Sequence, residues 1–212
     1  MIPGFTAPRM SPQTHDPMSL LPTNMSMPLI GLLILYTFSS SCTPSLPPPS
    51  QPLSNGPAVS DLLNRAQGGE PDAQNQVGIL YSEGQGLPQN YQEAKYWFKK
   101  AADQGHAGAQ VNLGTLYSLG QGAPFSDPMA LFWFQKAAEQ RNALAFAKLG
   151  MMYERGRSVP QNLVEAHMWY NLSAAYGEKR AADSRNALTK RMTVEQITEA
   201  EARAKKWTPT RR

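Results

Sequence analysis

Side chains able to do chemistry are sparse in this 212-residue chain, and their spacing suits none of the common reaction centres. A metal site needs His, Cys or carboxylate ligands clustered within a few residues or facing one another. His106 and His167 each stand without a second His or Cys at such a spacing, and both read as structural or surface imidazoles. Gly84-Gln85-Gly86 offers two glycines of a phosphate loop, but no third glycine and no Gly-Lys-Ser/Thr follows, and no strand precedes it. Acyl-enzyme chemistry of the Ser-x-x-Lys type needs a serine three residues ahead of a lysine. No such pair occurs in the chain. Glu93, Glu139 and Glu165 fall at capping or outward positions of predicted helices rather than opposite one another. The sequence therefore predicts no catalytic residue, no metal and no cofactor, and reads as a non-enzymatic protein.

One residue has a specific modification in view. Cys42 follows Ser39-Ser40-Ser41, and these follow an apolar run from Leu29 to Phe38. Ten helical residues rise only about 15 Å, half of a hydrocarbon core of about 30 Å, so a stable span is not expected. The run fits the apolar core of a secretory signal, with small residues after it as a cleavage site. A cysteine at that point resembles the acylation site of bacterial lipoproteins, where Cys42 would become the new N-terminus and carry lipid. Residues 1–42 then form the targeting segment, and residues 43–58 a Pro-rich linker. Residues 1–58 hold 12 of the 18 prolines but only Arg9 and Asp16 as charges, which suits an extended spacer and not a core. At about 3 Å per residue the spacer reaches roughly 40–45 Å. The expected location is exported, periplasmic or anchored at the outer membrane through a lipidated Cys42. An uncleaved anchor is one alternative. Another is a cytoplasmic scaffold whose start site is misassigned, since Met18, Met25 and Met27 also precede the run.

Charge is uneven along the rest. Residues 59–178 carry nine Lys and Arg against eleven Asp and Glu, whereas residues 179–212 carry ten against four. The overall charge of +4 is thus a property of the tail, which reads as a solvated helix with a basic end. No nucleic-acid partner is expected.

The elements come from an internal repeat of 36 residues. Gly78, Gly114 and Gly150 share this spacing, as do Tyr81, Tyr117 and Tyr153; Gly84, Gly120 and Gly156; and Pro88, Pro124 and Pro160. So do Ala94, Ala130 and Ala166; Trp97, Trp133 and Trp169; and Ala102, Ala138 and Ala174. Each unit reads as two helices. Ala73, Val77 and Tyr81 form the stripe of the first, and a glycine in the left-handed conformation closes it. Asn90, Ser126 and Asn162 are predicted N-caps of the second, with Glu93 and Glu165 completing capping boxes in two copies. Ala94, Trp97, Phe98, Ala101 and Ala102 form its buried face. A mid-helix glycine costs about 1 kcal/mol against alanine. Its return at Gly78, Gly114 and Gly150 predicts a helix crossing too close for a Cβ, with the tryptophans filling the space between helix pairs.

The predicted order is an N-terminal capping helix in 59–72, repeats at 73–108, 109–144 and 145–180, and C-terminal capping helices with the basic tail in 181–212. In the last segment Thr193-Val194-Glu195-Gln196 is a capping box, and Ile197, Ala200, Ala204 and Trp207 form the inward stripe. The fold class is all-α. It is a solenoid of about three helix-turn-helix repeats, because one pair alone leaves its apolar face wet.

These residues resemble the Sel1-like repeat family, a relative of the tetratricopeptide repeat. The match runs Ala73, Val77-Gly78, Tyr81, Gly84-Gln85-Gly86, Pro88, Ala94, Trp97, Ala101-Ala102 and Gly105, and Ala73, Gly78, Tyr81, Gly84, Pro88, Ala94, Trp97 and Ala102 return in both later copies. The resemblance implies a right-handed α/α superhelix that scaffolds protein complexes, with partner proteins held on a concave face made by the first helices. By that resemblance the binding stripe holds Asn75, Gln76, Ile79, Ser82 and Glu83, then Asn112, Thr115 and Ser118, then Lys148, Met151, Glu154 and Arg155. Cysteine-rich members staple each repeat with a disulfide, and this region has no cysteine. Some are described as penicillin-binding or β-lactamase-like, so a cell-wall-binding or β-lactamase-like envelope protein stands as the rival reading.

Overall fold

Nine α-helices and no strand are found among residues 57–209, the part of the chain that the structure, a computed structural model, describes. The apolar run, Cys42 and most of the Pro-rich linker lie outside these residues. The helices are α1 (Pro57–Gln67), α2 (Pro71–Glu83), α3 (Tyr91–Asp103), α4 (Ala107–Leu119), α5 (Asp127–Glu139), α6 (Ala143–Arg155), α7 (Leu163–Ala175), α8 (Lys179–Thr189) and α9 (Val194–Lys206). From α2 to α7 every helix has 13 residues, and successive pairs start 36 residues apart. The first helices begin at 71, 107 and 143, two residues before the repeat starts read from the sequence pattern.

Local chemistry sets these lengths. Gly84, Gly120 and Gly156 close α2, α4 and α6 with φ of 73°, 67° and 66°, a conformation that costs glycine little. Asn90, Ser126 and Asn162 cap α3, α5 and α7 by accepting backbone N–H groups of the first turn. Their own N–H groups donate to the carbonyls of Tyr81, Tyr117 and Tyr153 at 2.9, 3.0 and 3.0 Å. That bond displaces the capping boxes expected at Glu93 and Glu165, because the N–H that each glutamate would accept is already taken. Glu165 instead pairs with Arg203 of α9. The box at Thr193 and Gln196 does form.

The glycines mark close crossings. A Cβ on Gly78 would lie 2.5 Å from the Phe98 ring, on Gly114 2.7 Å from Phe134, and on Gly150 2.7 Å from Tyr170. The crossing is the one expected, but the ring at the glycine is that of the residue after each tryptophan. The indoles fill the gaps between successive pairs. Trp97 packs with Ala66 of α1 and with Ala73 and Val77, and Trp133 with Ala102, Ala109 and Leu113. Trp169 meets Phe146 and Trp207 at ring-centroid distances of 5.8 Å each.

Repeat junctions are sealed by a polar ladder. Gln74 Nε2 donates to Ala66 O at 3.1 Å and Gln104 Nε2 to Gln74 Oε1 at 2.7 Å. Gln110 and Gln140 repeat this at 3.3 and 2.9 Å. In the third repeat Phe146 and Tyr176 take these positions, edge to face at 5.5 Å. That change lets the array end in aromatics. Ala200 and Ala204 of α9, with Trp207 just after it, close over Met168, Phe146 and Trp169.

Arg157 ties the second repeat to the third. Its Nε donates to Asp127 at 3.0 Å and its Nη2 to the Ser118 carbonyl at 3.0 Å, with the guanidinium over Phe125. The paired side chains are only 25% and 17% exposed. Arg157→Ala leaves the Asp127 carboxylate part-buried and unpaired, for an expected loss of about 2 kcal/mol. Urea unfolding checks this, with Lys99→Ala as the control. The Lys99–Asp103 pair is half in water and should barely shift the midpoint.

Candidate functional site

On the first helices, hydroxyl groups turn back on their own backbone. Ser82 donates to Ile79 O at 2.9 Å, Thr115 to Val111 O at 2.8 Å and Ser118 to Thr115 O at 3.1 Å. Their oxygens keep free lone pairs, so this face offers a partner mainly acceptors and amides. Asn112 Nδ2 donates to Asn75 Oδ1 at 3.0 Å and holds the two amides together across α2 and α4. Glu154 is engaged twice, accepting from the Tyr170 hydroxyl at 2.9 Å and from Arg191 at 3.0 Å. Burial, and then the Glu154 carboxylate, push the Tyr170 hydroxyl well above its ordinary range, so it stays a donor.

Two grooves open along this side. One, of about 280 Å³, is lined by Ile79, Ser82 and Glu83 of α2 and by Asn112 and Thr115 of α4, with Tyr91, Phe98, Leu116 and Gln121 around them. The other, of about 310 Å³, lies between α6 and α8 and is lined by Lys148, Met151, Leu144, Ala147, Tyr170, Glu178, Arg180, Ala181 and Ser184. The first groove therefore collects five of the twelve residues expected to bind a partner, and the second collects Lys148 and Met151. Asn75 supports the first from beside it. Gln76, Ser118, Glu154 and Arg155 line neither.

Leu144 and Arg180 were missed by sequence reasoning. Leu144 carried a signal: it stands where the earlier repeats have Asp72 and Gly108, and it is 43% exposed. Arg180 carried none, because α8 has lost the repeat's glycine and tyrosine. A third recess of about 340 Å³ lies by the C-terminal aromatics, lined by Gln135, Ala138, Glu139, Leu149, Trp169 and Trp207.

Both described histidines have structural surroundings. His106 caps α4, its Nδ1 accepting from the Ala109 N–H at 2.9 Å while Nε2 faces Asp72 at 3.0 Å. Among the described residues no three metal-binding side chains converge.

His167 is 1% exposed, and its Nδ1 has no hydrogen-bond partner among the described residues. Burial, reinforced by the charge of Arg185 and partly offset by Glu201, lowers its pKa below the ordinary 6.5. The folded state thus favours neutral imidazole. Stability is full above pH 6.5 and falls as pH drops from 6.5 through the depressed folded value, because the unfolded chain binds the proton first. His167→Leu should lessen this loss, read as the difference between the two proteins' melting temperatures from pH 7.5 downward.

Comparisons with known proteins agree with this architecture. The Sel1 repeat family model matches residues 71–106, 107–142 and 143–177. A crystal structure of a Sel1 repeat protein from Oxalobacter formigenes is similar, with 38% identity and a TM-score of 0.56, over 60% of this chain and 53% of that one. A protective antigen present in uropathogenic Escherichia coli strains, displaying an SLR fold, is similar with 26% identity and a TM-score of 0.54, over 69% of this chain and 39% of that one. The chain thus spans about half or less of these structures' lengths. No curated protein matches it. Three consecutive copies, each a glycine-closed first helix crossing under the aromatic ring of a side-chain-capped second helix, place the chain in the Sel1 repeat family.

Proposed function

We propose that the protein is a non-enzymatic protein-interaction scaffold of the cell envelope, and that its first helices receive an extended segment of a partner. Sel1 repeat proteins typically serve as interaction scaffolds. The observation that carries the reading is how the repeated side chains are divided. Trp97, Trp133, Phe134 and most of the repeated alanines are used up in packing between helices. The first-helix side is left with two open grooves bearing amides, hydroxyl oxygens, a thioether and a cation. Such groups suit an extended peptide, with hydrogen bonds for its backbone and adaptable apolar contact for its side chains. The signal-like run before Cys42 and the spacer after it support export and a lipid tether.

Photo-crosslinking in intact cells tests the scaffold reading. A crosslinking residue at Thr115 or Met151 should trap a discrete protein, whereas one at Tyr96, exposed on α3, should not. Equal trapping from all three, or from none, would count against the first-helix face. Mass analysis of the mature N-terminus should find lipidated Cys42 as the first residue, and an unmodified Cys42 would remove the tether. Covalent labelling by a β-lactam probe would overturn the non-enzymatic assignment.

A further inference from the structure

Lys148 is out of balance with its surroundings. It stands where the first two repeats have the neutral amides Gln76 and Asn112. Its side chain is half-buried in the groove between α6 and α8, and it forms no salt bridge among the described residues. Neither carboxylate by the groove pairs with Lys148, and with Lys148, Arg180 and Glu178 in its lining the groove carries a net charge of +1. Glu154 sits between Tyr170 and Arg191. Glu178 caps α8, accepting the Arg180 N–H at 3.2 Å. Burial lowers the Lys148 pKa, so the ammonium is held at a cost that an incoming anion would relieve. Arg180 lines the same groove and adds a second positive charge, while Leu144, Ala147 and Met151 make part of the wall apolar.

We propose that this groove binds an acidic peptide segment of a partner protein, with an Asp or Glu carboxylate set against Lys148 and an adjacent apolar side chain lying over Leu144, Ala147 and Met151. Neither stretch flanking the repeats supplies such a segment. Residues 1–58 contain a single carboxylate, Asp16, and residues 179–212 are strongly basic. At about 310 Å³ the groove is at the small end of ligand pockets, about 300–1,000 Å³. It therefore fits a short anchor of one or two side chains. The inference rests on the reading that the first-helix face binds a protein, and it names the chemistry of one part of that face.

The test uses the full chain and an array of ten-residue peptides pairing each acidic residue with each apolar one. Matched peptides carry Asn or Gln in place of the acid, and all C-termini are amidated so that only side-chain carboxylates are presented. Acidic peptides should bind about tenfold more tightly than their amide counterparts, the scale of a close charge pair. Lys148→Met, which keeps most of the apolar stem, should abolish that preference without lowering the melting temperature, and Lys148→Arg should retain it. Equal binding of acid and amide peptides, or an acid preference that survives Lys148→Met, would overturn the inference. Acid-indifferent peptides that shift the resonances of Ile79 and Asn112 would leave the first-helix reading standing. Binding of no peptide at all would remove both.

Discussion

Phe134→Ala is expected to destabilise the protein by about 3–5 kcal/mol, and combining it with Gly114→Ala is expected to cost much less than the sum of the two single changes. Phe134 is 1% exposed and packs with Ala130, Ala137, Phe146 and Leu149 in the largest apolar cluster. Truncation leaves a cavity in the middle repeat, where neighbours on both sides depend on it. Gly114→Ala alone gains about 1 kcal/mol of helix propensity. It also places a Cβ 2.7 and 2.9 Å from two atoms of the Phe134 ring. Because that ring is enclosed, α4 and α5 must separate, and the net effect is a loss of about 1–3 kcal/mol. Once the ring is gone, the added methyl has room and fills part of the cavity. The Ala130 carbonyl at 3.2 Å still crowds it. The coupling in this cycle should be about 1–3 kcal/mol, typical of residues in direct contact. Urea unfolding of the four proteins measures it, and additive losses would mean that the glycine is not there for the ring.

That cycle also marks where sequence reasoning reaches its limit. The 36-residue spacing revealed every paired helix, because seven positions returned in register, and the N-caps followed from Asn90, Ser126 and Asn162 alone. Which ring meets the glycine could not be read. Trp97 and Phe98 are consecutive, about 100° apart around one helix, and the crossing of two helices decides between them. The capping boxes at Glu93 and Glu165 were misjudged for a related reason: the competing acceptor, a tyrosine carbonyl, lies nine residues back across a turn. The binding face was partly legible. Repeat register placed Ile79, Thr115 and Met151 on the first-helix side. It could not show that Thr115 and Ser118 direct their hydroxyl protons to their own helix, nor that α8, whose repeat pattern has decayed, completes the second groove with Arg180.

Gly122→Ala should be nearly as damaging as Phe134→Ala, and far worse than Gly86→Ala at the matching turn position. Both glycines are left-handed, with φ of 65° and 72°, and the third repeat has Ser158 there at φ 60°. A side chain in that conformation is therefore tolerable in this turn, at a cost of about 1–2 kcal/mol for a non-glycine residue. What separates the two glycines is the neighbour. A Cβ on Gly86 meets only Val59 Cγ2 at 3.4 Å. On Gly122 it would overlap the Tyr91 carbonyl and come within 3.0 Å of the Gln92 nitrogen. These atoms belong to the first turn of α3, whose backbone cannot move without releasing the Asn90 cap. Gly122→Ala should then cost about 3–5 kcal/mol, the conformational cost plus that of displacing packed backbone, against about 1–2 kcal/mol for Gly86→Ala. Because Tyr91 and Gln121 line the groove between α2 and α4, the displacement should also reach the binding face. Crosslinking of a partner through Thr115 should fall in Gly122→Ala, while crosslinking through Met151, in the groove between α6 and α8, should not. Equal melting temperatures for Gly122→Ala and Gly86→Ala would mean that the second repeat's turn does not rest on the start of α3, and the link from turn to groove would go with it.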